Sequence, residues 1–164
     1  FALEVDDIEA TYQKLISRNI QASTPKPLKF KWFFKLLSKT MPWKNSYLPK
    51  FEGMPFQFFL QQLNDEKSKA FMKQYMVPNS RNNDIEGISE VIIYGNLTEN
   101  DKRIIYALFD DYEEREDLLS INVGSQTIRF IQASTYKVEV ILKCYNKEYS
   151  NKTANIHNLK IRNS

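Results

Sequence analysis

Cysteine is almost missing from this chain. Cys144 is the single one among 164 residues, so no internal disulfide can form, and the composition suits a reducing compartment, with the bacterial cytoplasm as the expected location. Within the alternating run Val138-Glu139-Val140-Ile141-Leu142-Lys143-Cys144-Tyr145 it reads as a packing residue rather than a nucleophile. Histidine is equally scarce. His157, lying between Ile156 and Asn158, cannot complete a Ser-His-Asp or Cys-His set at any supported spacing, so triad-type nucleophilic catalysis is not expected. Gly53, Gly87, Gly95 and Gly124 are the four glycines, too scattered to form a phosphate-cradling loop. No apolar run is long enough to span a bilayer. Charge of one sign is lacking too: 23 Lys and Arg against 20 Asp and Glu leave +3, too little to imply nucleic acid without basic residues gathered on one face.

What the chain does have is a folded composition, 42% hydrophobic and 13% aromatic, sufficient for one domain or for two small halves. Its most informative feature is a repeated unit: a short apolar strand, an acidic or polar turn, then an amphipathic helix. Phe1 to Ile20 carry the first copy and Glu90 to Phe109 the second. At one constant offset Ile8 meets Leu97, Leu15 meets Ile104, Ile16 meets Ile105 and Ile20 meets Phe109, the residues that a buried helix face would need.

In the first half, Phe1 to Val5 reads as a strand, and Asp6-Asp7 as the cap of a helix from about Asp7 to Arg18. Lys29 to Lys35 alternates cation and aromatic with strand periodicity, a helix being the alternative. Lysines on one face and aromatics on the other make an amphipathic strand rather than a single-stranded nucleic-acid platform, which needs both on the same face. Pro42, Pro49, Gly53 and Pro55 mark a loop from Lys39 to Met54, Phe56 to Gln62 a strand, and Asn64 to Met76 a helix capped by Asn64. A polar linker, Pro78 to Asp84, places the boundary near Asn83, giving modules 1–83 and 84–164. The second half reads as strand Ser89 to Tyr94, a cap at Thr98 with Asp101 three residues on, and a helix to about Phe109. An acidic connection follows, then strands Leu118 to Val123, Gln126 to Gln132 and Lys137 to Tyr145. Gly124-Ser125 is a two-residue hairpin turn. Asn155 to Ile161 is an edge strand or a tail.

That order, together with Phe1 to Ala10, Lys29 to Leu37, Met54-Pro55-Phe56-Gln57-Phe58 and Gly87 to Ile93, resembles glyoxalase-like proteins of the vicinal oxygen chelate superfamily, the glyoxalase and extradiol dioxygenase fold. The resemblance implies an α+β protein of paired βαβββ modules, curved mixed sheets with helices on the outer face, around a small-molecule pocket. It also implies a preceding strand and helix carrying a His, in keeping with a chain that starts inside an apparent strand. Metalloenzymes of the superfamily use His, Glu or Gln on the first and last strands of each module. Here those strands offer Glu4, Glu90, Gln57, Gln61 and Glu139 but no His, so no metal or other cofactor is expected, and no catalytic residue is assigned.

The candidate substrate-binding residues are Trp32, Gln57, Gln61, Arg129 and Glu139. An apolar wall with a few hydrogen-bonding groups is the usual make-up of a ligand pocket, and Arg129 adds an anion contact. The leading expectation is a small-molecule-binding protein without an evident metal centre. A metal-dependent lyase or dioxygenase and a non-catalytic dimerisation module are the alternatives, with homodimers possible and no nucleic-acid or membrane partner expected. High Lys, Asn and Ile usage fits a bacterium with an AT-rich genome.

Overall fold

The computed structural model describes residues 1–32, 37–63, 65–70, 85–144, 148 and 151–163, with 30–32 and 37–39 described by backbone alone. The fold is α+β, with three helices and two mixed open sheets of four and seven strands among the described residues. The chain divides into two compact units. One comprises Phe1–Phe51 and Phe56–Val77, the other Glu52–Pro55 and Pro78–Ser164. The expected boundary at Asn83 and the linker Pro78 to Asp84 lie outside the described residues.

The first unit holds β1 (Ala2–Glu4), α1 (Ile8–Ser17), β2 (Lys26–Trp32), β3 (Leu37–Tyr47), β4 (Phe59–Leu63) and the short helix α2 (residues 66–70). Its strand order is β1-β4-β3-β2, with β1 parallel to β4 and the remaining pairs antiparallel. Asp7 caps α1 by accepting a 3.0 Å bond from the Ala10 N–H. The β4 residue Gln62 accepts from the Ile8 N–H at 3.2 Å and fixes the helix start to the sheet. Ile8, Leu15, Leu3, Leu60 and Phe58 form the core. Phe1, Phe51, Phe56 and Phe58 make a ring cluster with centroids 4.9–6.3 Å apart.

The expected loop from Lys39 to Met54 is overturned in its first part, because β3 runs through it as an inner strand. Pro42 lies where the β2–β3 register shifts, between Pro27 and Lys29, and a residue without an N–H is tolerated at such an irregularity. The expected strand Lys29 to Lys35 is seen through Trp32, and the rest of it lies outside the described residues, as does the part of the expected helix beyond residue 70. Asn64 is outside them too. The α2 cap contact comes from Asp65, whose carboxylate accepts from the Ser68 N–H at 2.7 Å.

The second unit holds β5 (Ile85–Gly95), α3 (Glu99–Leu108), β6 (Tyr112–Arg115), β7 (Leu118–Val123), β8 (Gln126–Gln132), β9 (Lys137–Cys144), β10 (Thr153–Ile156) and β11 (Leu159–Asn163). Its sheet runs β10-β11-β9-β5-β8-β7-β6. Within it, β5, β8, β7 and β6 reproduce the order of the first unit, again with the first and fourth strands parallel. The second strand of that set is β6, inside the expected acidic connection. All four of its residues are exposed, and charge suits an edge strand that must avoid further pairing. β9 instead pairs antiparallel with the other edge of β5. The segment Asn155 to Ile161 is neither tail nor single strand. It forms most of the β10–β11 hairpin, turned at His157 (φ 53°), with β11 parallel to β9.

The repeat holds at the level of elements but not at the matched offset. Ile16 is 40% exposed whereas Ile105 is fully buried, and the caps Asp7 and Thr98 lie two positions further apart than that offset allows. A bend in residues 52–55 completes the unit, held by a fully buried carboxylate. Asp101 accepts from the Glu52 N–H at 2.7 Å, the Gly53 N–H at 3.2 Å and the Thr98 N–H at 3.1 Å. Gly53 is required there, since a Cβ would stand 1.9 Å from the Asn96 carbonyl oxygen.

Replacing Asp101 by Ala leaves these three backbone donors without their acceptor, and each buried unsatisfied donor costs about 1–3 kcal/mol. A loss of about 3 kcal/mol or more in urea unfolding is expected, together with lost hydrogen-exchange protection at Glu52, Gly53 and Thr98. A loss under about 1 kcal/mol would mean that the bend is held by other contacts.

Candidate functional site

In each sheet one face is turned to the helix and the other away from it. Lys44 of β3 pairs with Glu9 of α1, and Gln62 of β4 bonds its start, so the alternate residues Trp43, Asn45, Tyr47, Phe59, Gln61 and Leu63 lie on the far face. Tyr47 and Phe59 confirm the register there, with ring centroids 5.4 Å apart. A row of polar groups crosses this face. Gln61 Nε2 donates to Asn45 Oδ1 at 3.4 Å, and Asn45 Nδ2 to Tyr47 Oη at 3.3 Å. Asn45 is buried, and the Trp43 indole N–H is also buried, with no hydrogen-bond partner. An unpaired buried donor is rare and costly. Glu4, exposed on β1, is the register partner of Gln61.

The second sheet is arranged alike. Tyr106 of α3 donates to Glu114 of β6 at 2.7 Å and stacks on Tyr112 at 4.7 Å, which places Glu114, Leu119, Phe130 and Ile93 on the helix side by register. Glu90, Ile92 and Tyr94 of β5, Arg129 of β8 and Lys137 and Glu139 of β9 then share the far face. Arg129 and Glu90 pair at 2.7 Å, and Lys137 sits 5.2 Å from the centre of the Tyr94 ring. Glu139, with its side chain 8% exposed, meets three cations: Arg162 at 2.6 Å, Lys160 at 3.3 Å and Lys137 at 3.7 Å.

The expected site residues therefore separate into groups. Arg129 and Glu139 come together, both flanking Ile92 in register. Gln61 stands on the far face of the other unit. Gln57 is taken up structurally, its side-chain amide donating to the Leu48 carbonyl at 2.6 Å. Trp32 ends β2 opposite Leu37, and its side chain lies outside the described residues, as does Phe34. Among the carboxylates considered for a metal, Glu90 and Glu139 are engaged by cations, and the described residues contain no group of three or more His, Cys, Asp or Glu able to hold an ion. Sequence reading missed Trp43, Asn45, Lys137, Lys160 and Arg162. The alternation in Leu159-Lys160-Ile161-Arg162 was available as a signal, but its partner strand was not.

A cavity of about 180 Å3 opens on the helix side of the second unit, lined by Leu97, Lys102, Glu114, Asp117, Phe130 and Gln132 among others. It is smaller than the roughly 300–1,000 Å3 of typical ligand pockets. Two of its ionisable groups are committed to one another: Lys102 bridges Glu114 at 2.9 Å, and also Glu99 at 3.1 Å. Those hydrogen bonds raise the Lys102 pKa, desolvation with the Glu114 bond pushes Tyr106 up to about 12, and Lys102 and Tyr106 together hold Glu114 below its ordinary value. A cation, a phenol and a carboxylate so fixed brace α3 against β6.

Burial raises the Glu139 carboxyl pKa, but hydrogen bonds and charge from Arg162 and Lys160 outweigh it and hold it below the ordinary 4.5. A depressed pKa gives stability that is fully present above the unfolded value and is lost as pH falls through the folded one. The acid limb of the stability curve, measured by thermal unfolding below about pH 4.5, is therefore expected to be shallower in Glu139→Gln than in the parent. Parallel limbs would show that the carboxylate is not paired in solution.

No protein family matches the chain, and no curated protein matches it significantly. Among solved structures, a hypothetical protein from Staphylococcus aureus is similar, with a TM-score of 0.73 and 18% identity over 99% of this chain. The chain spans 63% of that protein's length. At this identity the likeness speaks to fold alone.

Proposed function

We propose that this is a glyoxalase-like protein of two βαβββ modules, each a curved sheet with its helix on the outer face, which binds a small molecule on a face turned away from the helix. The reading carries with it a bacterial cytoplasmic location and a homodimer as the plausible assembly, exposed edge strands such as β10 being available for pairing. The observation that supports it is the shared order of the two sheets, first strand beside fourth and parallel, then third, then second. Such a unit packs one face on the helix and carries on the other a mixed set, in the first unit Gln61 and Asn45 beside Trp43, Tyr47 and Phe59.

The first unit supplies the groups a ligand would meet. Gln61 and Asn45 offer carboxamides, and the Trp43 indole N–H is a buried donor awaiting an acceptor. Three neutral donors in one row suit a carbonyl-bearing molecule, and the aromatic faces of Tyr47 and Phe59 suit its apolar part. Metal chemistry plays no part in this reading. Binding is the function it assigns, and turnover is left to groups that the described residues do not bring together.

A fragment screen of small carbonyl compounds, read by the indole Nε1–H resonances and by thermal shift, tests the reading. A ligand at a hundred times its Kd raises stability by about 2.7 kcal/mol. Gln61→Leu and Trp43→Phe are expected to remove most of that gain while changing the unliganded protein little. A gain that survives both substitutions would put binding elsewhere. A screen with no ligand at all would make the structural module the better account.

A further inference from the structure

The added strands β9, β10 and β11 lie outside the order shared by the two sheets, and they carry the densest charge cluster among the described ion pairs. Glu139 of β9 is met by three cations, Lys137 from its own strand and Lys160 and Arg162 from β11. The register explains the convergence: Lys160 is directly opposite Glu139, Arg162 lies opposite Ile141, and all project on the face away from α3. Three positive charges around one carboxylate leave an excess of two. The carboxylate is almost buried, whereas the side chains of Lys137, Lys160 and Arg162 are 43%, 32% and 39% exposed. The cationic ends thus remain open to solvent while their shared anion is hidden.

Two features make this more than a surface ion pair. Arg129, 43% exposed, occupies the register position on the other side of Ile92 from Glu139 and adds a fourth cation, whose own partner is Glu90. The Arg129–Glu90 pair is neutral, so the excess of two positive charges stays with the Glu139 cluster. Lys137 is also held in place by the Tyr94 ring, so the cluster is anchored at both edges. Cations held together in a partly desolvated setting repel one another, and an added dianion relieves that repulsion.

We propose that this face, centred on Lys137, Lys160 and Arg162, is an anion site for a phosphate monoester, whose two negative charges match the excess and whose oxygens suit the Arg guanidinium and Lys ammonium donors. Arg129 is the outer contact. Glu139 does not touch the ligand; it gathers the cations and sets their spacing. The site is distinct from the neutral row of the first unit and stands whether or not that row binds a carbonyl compound.

Inorganic phosphate is the probe. Titration at constant ionic strength, followed by amide and Arg side-chain NMR shifts and by thermal shift, is expected to saturate with the largest shifts on β9 and β11. Acetate at the same ionic strength should give a much smaller response. Lys160→Gln and Lys137→Gln are expected to weaken phosphate at least about tenfold, the size of one charge-assisted bond, while Lys44→Gln, at a lysine paired with Glu9 within the first unit, leaves it unchanged. Glu139→Gln provides the sharper arm, because it removes the internal anion: phosphate binding should tighten, where a merely structural cluster would lose it with the fold. Should Glu139→Gln fail to fold, the two Lys variants decide alone. Equal responses to phosphate and acetate, or phosphate binding indifferent to Lys137 and Lys160, would overturn the proposal.

Discussion

The parallel pairing of a first with a fourth strand, β1 with β4 and β5 with β8, is the constraint on which the rest of each unit depends. A parallel pair cannot be closed by a tight turn and needs a crossover connection. In each unit that crossover begins with a helix lying over one face of the sheet. The helix needs a firm start. Asp7 and Thr98 provide the caps, and β4 contributes Gln62 to the first. Once a helix claims one face, the other is released for a mixed set of side chains, polar groups standing beside Tyr47 and Phe59 in one sheet and beside Ile92 in the other. The neutral row Gln61-Asn45-Tyr47 and the charged ladder from Arg129 to Arg162 are both consequences of that division.

The second unit adds a constraint of its own. Its capping box uses Asp101, whose carboxylate would normally be satisfied by the cap backbone alone. Here the same group accepts two further N–H bonds from residues 52 and 53, and Asn100 donates to the Glu52 carboxylate at 2.9 and 3.1 Å. Four residues separated by almost fifty positions from the helix are thereby made part of its unit. Met54 packs where a side chain on Gly95 would stand, so the bend has both a polar and an apolar anchor.

Much of this was legible in the sequence, and the failures have physical causes. Helix starts are readable because capping is local chemistry: the Asp6-Asp7 pair contains the cap Asp7, and the Thr98 to Asp101 pair caps α3 as its spacing predicts. The Gly124-Ser125 turn was readable for the same reason, with Gly124 at φ +62° between paired Val123 and Gln126. Strands that break the alternation were not. β3 contains Pro42 at a register shift and buries Asn45 and Ser46 where an apolar pattern would be expected. β6 is an exposed edge that reads as an acidic loop. Of the site residues, Arg129 and Glu139 were identified individually, but their proximity depends on β9 pairing with β5 rather than closing the module, a long-range choice that no local pattern carries.

The Glu139 cluster also bears on why a protein would keep such an arrangement. A nearly buried carboxylate is costly to desolvate, and replacing a buried ion network by apolar residues of like volume is often neutral or stabilising. Arg162 at 2.6 Å and Lys160 at 3.3 Å together offset the burial of Glu139. Compensation of the carboxylate therefore does not call for Lys137 as a third cation at 3.7 Å, which repels the two already present. Edge protection does not call for it either, because β10 already covers β11. What remains is a face whose positive charge is organised around a hidden anion and left open to solvent, an arrangement that becomes favourable when a second anion arrives from outside.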